Sequence, residues 1–180
     1  MEGTRLRVFA ALELPEDTAS QISQWQKPLM EKYPSLKWVS TDRMHLTLRF
    51  FGNIDESVIG RIDGMLASWK PGPLEFSLTE AGFFGRRGKP WVYWLGGVFP
   101  NEIRSKAEEL ASIPDEKGRT DEREYVPHFT VARRRRSSAV PDELALAGEI
   151  RGIFRRAALF NSRLTPRGPE YRYIYEYELT

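Results

Sequence analysis

Two short stretches decide how this chain is read: His45-Leu46-Thr47-Leu48 and His128-Phe129-Thr130-Val131. Both run histidine, apolar, threonine, apolar, and the second lies 83 residues after the first, close to half of the 180-residue chain. In a strand alternate side chains share a face, so His45 and Thr47 point one way and Leu46 and Leu48 the other; His128 and Thr130 part from Phe129 and Val131 in the same manner. Each stretch therefore predicts a strand with an apolar face on the core and an imidazole beside a hydroxyl on the other side. Their attachment points are about 6.6 Å apart at strand rise, so both groups can reach the oxygens of one phosphate-sized anion. Recurrence at half the chain length predicts an internal two-fold organisation, although the remainder of the halves shows no similarity by eye.

Working outward, Arg5 to Leu14 is rich in branched and aromatic residues and predicts a buried strand closed by Pro15. A helix follows, with Ile22, Trp25, Leu29 and Met30 at roughly helical spacing up to Pro34. Lys37 to Ser40 and Met44 to Phe51 predict strands, and Asp55 to Trp69 predicts a second helix with Val58, Ile62, Met65, Leu66 and Trp69 on one face. Strands at Leu74 to Phe84 and Trp91 to Gly96 flank a loop of hairpin composition. A helix near Asn101 to Ser112, a strand from Tyr125 to Ala132, a short helix over Pro141 to Ala147, and closing strands at Ile153 to Leu164 and Tyr171 to Glu178 complete the reading. The order is mixed α+β without regular βαβ alternation.

Composition narrows the chemistry. There is no cysteine, which removes disulfides, thiol nucleophiles and thiolate metal sites, and there are only two histidines. Any imidazole acid–base chemistry therefore belongs to His45 and His128. Lys and Arg number 27 against 25 Asp and Glu, so no global field results, but cations cluster at Arg86, Arg87 and Lys89, at Arg133 to Arg136, and at Arg151, Arg155 and Arg156. Together these clusters make a candidate positive patch on an otherwise balanced surface. The apolar run Val8 to Leu12 is short and is followed by Glu13 and Pro15, so no signal peptide is expected; nothing approaches membrane-spanning length, and the expected location is the cytoplasm.

Two imidazoles across a phosphate suit in-line displacement without a metal: a neutral one takes a proton from the attacking oxygen while a protonated one gives a proton to the leaving oxygen. A lone histidine in a strand is more often an ordinary packed or surface residue. Here both histidines of the chain carry the same pattern, which favours function. Metal binding by the pair is the weaker reading, since a zinc site needs three or four ligands and no cysteine supplies them.

Arg7-Val8-Phe9-Ala10-Ala11-Leu12 with Pro15, Trp38-Val39 ahead of His45-Leu46-Thr47-Leu48-Arg49-Phe50-Phe51-Gly52, Pro127-His128-Phe129-Thr130-Val131-Ala132-Arg133, and Leu159-Phe160-Asn161-Ser162 leading to Gly168 and Tyr171 together resemble the RNA 2′,3′-cyclic phosphodiesterases, also called 2′-5′ RNA ligases, of the 2H phosphoesterase superfamily. The resemblance runs nearly end to end. It implies a single domain over residues 1–180 with two intertwined lobes, each carrying one motif (45–48 and 128–131), and two pseudo-symmetric antiparallel sheets flanked by helices around a central cleft. The implied reaction is metal-independent and cofactor-free hydrolysis of a terminal 2′,3′-cyclic phosphate to a 2′-phosphomonoester. His45 would be the general acid and His128 the general base, an assignment that the pseudo-symmetry also permits in reverse.

Thr47 and Thr130 would bind the phosphate, with Arg133 as the added cation. Arg133 is five residues after His128, so plain alternation sends it to the wrong face; its role rests on the resemblance and needs a bend in the strand. Phe9 and Phe51 are offered to the terminal base, against ordinary core packing as the competing reading. The expected partner is an RNA 3′ end carrying a cyclic phosphate, tRNA halves among them, met by a monomer that touches no membrane. The alternatives are ATP-independent 2′-5′ ligation or 2′-5′ phosphodiester cleavage, and a binding module for nucleotides or RNA ends without turnover.

Overall fold

The computed structural model describes residues 5–86, 89–121, 123–135, 141–166 and 168–180. In chain order these form β1 (Leu6–Glu13), α1 (Glu16–Lys32), β2 (Lys37–Trp38), β3 (His45–Ile54), α2 (Glu56–Ala67), β4 (Leu74–Arg86), β5 (Lys89–Val98), α3 (Asn101–Ala111), β6 (Phe129–Arg133), β7 (Ile150–Phe154), β8 (Arg156–Thr165) and β9 (Gly168–Glu178). The strands make one antiparallel sheet in the order β7-β4-β5-β6-β3-β1-β8-β9, with β2 added beside β6. The two sheets expected from sequence are present as two runs of four strands, joined edge to edge by a single residue pair, Leu46 with Phe129. Outward from that junction the runs are β3-β1-β8-β9 and β6-β5-β4-β7. The motif-bearing strands are thus the innermost of each half.

The core lies under one face of this sheet. Leu46 and Leu48 of β3 and Phe129 and Val131 of β6 are buried together with Ile22 of α1, Ile59, Ile62 and Leu66 of α2, and Ile103 and Leu110 of α3. Helix α1 packs on β7, α2 on β9 and α3 on β3. The helices start where expected: the Asp55 side chain accepts from the Val58 N–H at the head of α2, and Glu16 and Asp17 occupy the first turn of α1. Covering one face with helices leaves the other as the concave side of a curled sheet. The curl is strong enough that one residue, Arg155, carries the chain from β7 at one edge to β8 in the other half.

That crossing corrects the expected single strand over Ile153 to Leu164, which is two strands pairing with different partners. The expected helix over Pro141 to Ala147 is irregular as well. Its backbone is held from outside, by Trp25 Nε1 donating to the Ala145 carbonyl at 2.9 Å and the Tyr93 hydroxyl donating to the Pro141 carbonyl, while Leu144 fills the core. Arg87, Arg136 and the neighbouring loop residues lie outside the described residues. No helix among the described residues is long and apolar enough to cross a membrane.

Candidate active site

The Leu46–Phe129 pair fixes the site. Both side chains point into the core, so their neighbours on each strand point the other way, into the cleft. Extending the register by one residue in each direction sets His45 against Thr130 and Thr47 against His128. The four motif side chains therefore share one face as a quadrilateral, with the histidines on a diagonal of roughly 8 Å at ideal strand spacing. Among the described residues neither threonine hydroxyl has a hydrogen-bond partner, so both can donate to an anion placed between them.

Both imidazoles are held alike. His45 Nδ1 lies 3.0 Å from the Arg43 carbonyl and His128 Nδ1 lies 2.7 Å from the Val126 carbonyl, in each case two residues back along the chain. A carbonyl only accepts, so Nδ1 carries the proton and each neutral ring presents Nε2 to the cleft as its acceptor. Burial pulls the His45 pKa down to about 4, against the Arg43 carbonyl, which raises it, and with the positive charges of Arg133 and His128, which lower it. Burial and Arg133 likewise lower His128, opposed by the Val126 carbonyl. In the free protein at neutral pH both rings are therefore neutral.

Arg133 reaches this face through a bulge. Tyr93 of β5 pairs with Ala132, but Trp94 pairs with Thr130, so Val131 is an extra residue in β6. Val131 and Ala132 both point inward and are fully buried, which returns Arg133 to the face of His128 and Thr130. The Val131 carbonyl is satisfied by the Val39 N–H at 2.9 Å and by Nε2 of buried Gln26 at 3.3 Å. β3 bulges at the matching place: Ala11 pairs with Thr47 and Ala10 with Arg49, skipping Leu48. Leu48 and Arg49 both turn inward, and the buried Arg49 guanidinium pairs with Asp121 at 2.8 Å.

The bulge in β3 corrects the Phe51 expectation. Alternation from His45 places Phe51 on the cleft face, but after the bulge Phe51 is in the core with no exposed surface, and Phe50 faces the cleft at 41% exposure. The Arg7 guanidinium sits 4.4 Å above the Phe50 ring. Phe9 does lie at the site, but beneath it: it is 3% exposed, its ring 4.7 Å from the His45 ring, backed by Phe160 at 5.0 Å. It is a wall behind His45 and offers no open face to a base.

Several cleft residues gave no signal in the sequence as taken alone. Tyr171 of β9 meets His45 edge-on at 5.2 Å and Phe9 at 5.0 Å. Its hydroxyl is pushed up by burial against the charges of Arg133, Arg7 and Arg43. Beside His128 stand Phe84, edge-on at 4.8 Å, and Trp94 at 6.4 Å. Trp94 lies flat on the sheet, and a Cβ at Gly82 would fall 2.2 Å from its ring, so only glycine leaves the room. Tyr125 links the two motif segments by donating to the Thr47 carbonyl at 2.8 Å. Among the described residues no three His, Asp or Glu side chains converge on one point as metal ligands.

Comparison with known proteins places the chain in a family. Residues 12–94 match the family model described as LigT-like phosphoesterase. The chain is 34% identical, over 95% of its length and 94% of the relative's, to a Thermotoga maritima protein named RNA 2′,3′-cyclic phosphodiesterase. It belongs to the LigT-like phosphoesterase family. A second relative of that name, from Methanothermobacter thermautotrophicus, is 32% identical over 93% of this chain and 95% of its own. Among solved structures, a Thermus thermophilus protein superposes with a TM-score of 0.78 at 24% identity, over 97% of this chain and 98% of that one, which shows a shared fold.

Proposed function

We propose that this chain hydrolyses the 2′,3′-cyclic phosphate at an RNA end to a 2′-phosphomonoester. The register pair that gathers His45, Thr47, His128 and Thr130 on one face carries the reading. Water attacks phosphorus as His128 Nε2 takes its proton; the bond from phosphorus to O3′ breaks and protonated His45 gives its Nε2 proton to O3′. The two hydroxyls and Arg133 hold the non-bridging oxygens as charge builds on them. Solvent then returns each ring to its starting state. The family relatives' shared name supports the substrate class, and RNA 3′ ends such as tRNA halves, met by a cytoplasmic monomer whose two lobes form one domain, are the setting we propose.

The test is purified protein with EDTA acting on an oligoribonucleotide 2′,3′-cyclic phosphate, with the product identified as a 2′- or 3′-phosphate. Replacing either His45 or His128 by Ala should lower kcat by about 10² to 10⁴. Activity that disappears in EDTA and returns with zinc or magnesium would overturn the mechanism. One observation favours a second reading, joining or cleaving 2′-5′ linkages: the Phe84–Trp94 wall stands beside His128, where the attacking group enters. Joining of RNA halves with cyclic-phosphate and 5′-hydroxyl ends tests it.

A further inference from the structure

The reacting phosphate uses Arg133, but Arg133 is one of several cations gathered at the same end of the cleft. Lys37 of β2 stands directly across from it in the antiparallel ladder, so the two side chains share a face. Arg43, in the turn before His45, converges with Lys37: a Cβ at Gly168, on the tip of the β8–β9 hairpin, would lie 3.6 Å from Arg43 Nη1 and 3.8 Å from Lys37 Nζ. Gly168 has a φ of +119°, which favours glycine on its own account. Arg7 joins from β1, where it donates to the Ser162 hydroxyl at 2.7 Å. The four cations come from four separate segments.

Among the described residues none of Arg7, Lys37, Arg43 and Arg133 forms an ion pair with a carboxylate. Elsewhere on the surface Arg104, Arg119, Arg123, Arg151 and Arg156 all do. Like charges directly opposite on neighbouring strands are destabilising, and here the opposed pair has a third cation beside it. Such a cluster is neutralised by an anion. One phosphate, bound between the histidines and touched by Arg133, leaves Lys37 and Arg43 unmatched.

We infer that Lys37 and Arg43 form a second phosphate subsite, which takes the phosphodiester on the 5′ side of the reacting nucleotide. The inference rests on the proposed reaction and adds to it a preference for the end of an RNA chain over a free cyclic nucleotide. Hairpin β8–β9 sets one wall of the subsite and β2 the other.

The test compares adenosine 2′,3′-cyclic phosphate with a dinucleotide ending in the same group, and binding of adenosine 2′-phosphate with that of adenosine 2′,5′-bisphosphate. Wild-type protein should favour the dinucleotide in kcat/KM, and the bisphosphate in affinity, by about ten-fold. Lys37→Ala should remove most of both preferences while leaving turnover of the cyclic mononucleotide unchanged; Lys37→Arg should keep them. The slope of log kcat/KM against log salt for the dinucleotide should fall by roughly 0.7 in Lys37→Ala, the value for one phosphate of a single strand. Arg43 is left in place because its carbonyl positions His45. Equal treatment of the two substrates by wild type, or an equal loss on both in Lys37→Ala, would overturn the subsite. A wild type that turns over neither substrate would overturn the reaction instead, and loss of bisphosphate preference in Lys37→Ala would then still support the subsite as an anion site.

Discussion

The pKa of His45 makes the sharpest demand on the mechanism. Burial draws it from 6.5 to about 4, so at pH 7 the free protein holds the acid in its productive, protonated form in about one molecule per thousand. His128 is lowered too. The profile of kcat/KM, which reports the free protein, should therefore be a bell with both limbs below pH 6.5. A phosphate anion between the rings favours the imidazolium, so the kcat profile, which reports the complex, should move to higher pH by a unit or more. Because the chain has only two histidines, their Cε1 protons give two NMR signals, and titration assigns each directly once His128→Ala identifies one. One signal should titrate near pH 4 and rise when a 2′-nucleotide is added. Stability follows the same linkage: the unfolded chain takes this proton at 6.5 and the folded one only near 4, so thermal stability is full above 6.5 and falls as pH drops toward 4. His45→Gln should flatten that fall. Two signals titrating together near 6.5 and indifferent to phosphate, or a kcat/KM optimum above pH 7.5, would refute the reasoning.

Other consequences are simpler to check. Phe51→Ala should cost about 3 to 5 kcal/mol in a denaturant titration, as expected for a fully buried ring, whereas Phe50→Ala should stay within about 0.5 kcal/mol of wild type and raise KM. Gln26→Leu removes the side-chain donor from the bulged Val131 carbonyl; it should cost about 1 to 3 kcal/mol and lower kcat/KM as Arg133 loses its aim. Asp121→Asn leaves Arg49 buried without its counter-charge and should cost about 3 kcal/mol near neutral pH. Arg123 above all, and Arg49 after it, hold the Asp121 carboxyl below the usual range, so that cost should shrink as acid protonates the wild-type carboxylate.

Alternation of polar and apolar side chains was enough to find the strands, the helices and the four motif residues, because each of these follows from a local period. It failed at Phe51 and left Arg133 without a local explanation, and in both cases the cause is one inserted residue. A bulge has no signature in an isolated strand sequence: Leu48-Arg49 and Val131-Ala132 read as ordinary strand, and only the register with β1 and β5 shows two residues facing one. The helix expected at Pro141 to Ala147 failed for a related reason. Its backbone groups are taken by Trp25 and Tyr93, which are far away in sequence. The cations around Tyr171 were visible singly and could not be summed before the hairpin β8–β9 was seen to curl over β2.

The bulges also bear on a question that symmetry leaves open. Two strands with the same motif, the same i−2 carbonyl anchors and a bulge after each threonine build a site whose halves are chemically interchangeable, so nothing in the motifs themselves says which histidine donates. Direction has to come from positions that are equivalent in the fold and different in chemistry. The fifth residue after each histidine is such a position: it is Phe50 in one half and Arg133 in the other, both turned to the cleft by the preceding bulge. An aromatic ring there suits a nucleoside, and a guanidinium suits the oxygens of a phosphate. The Phe50 side also carries Phe9 and Tyr171 against His45. In the proposed reaction a nucleoside seated on that side would bring its departing O3′ toward His45, with His128 beside the Phe84–Trp94 wall where the attacking group enters. Exchanging the two residues, Phe50→Arg with Arg133→Phe, should therefore lower turnover far more than either side chain's burial would suggest, even if the fold is kept.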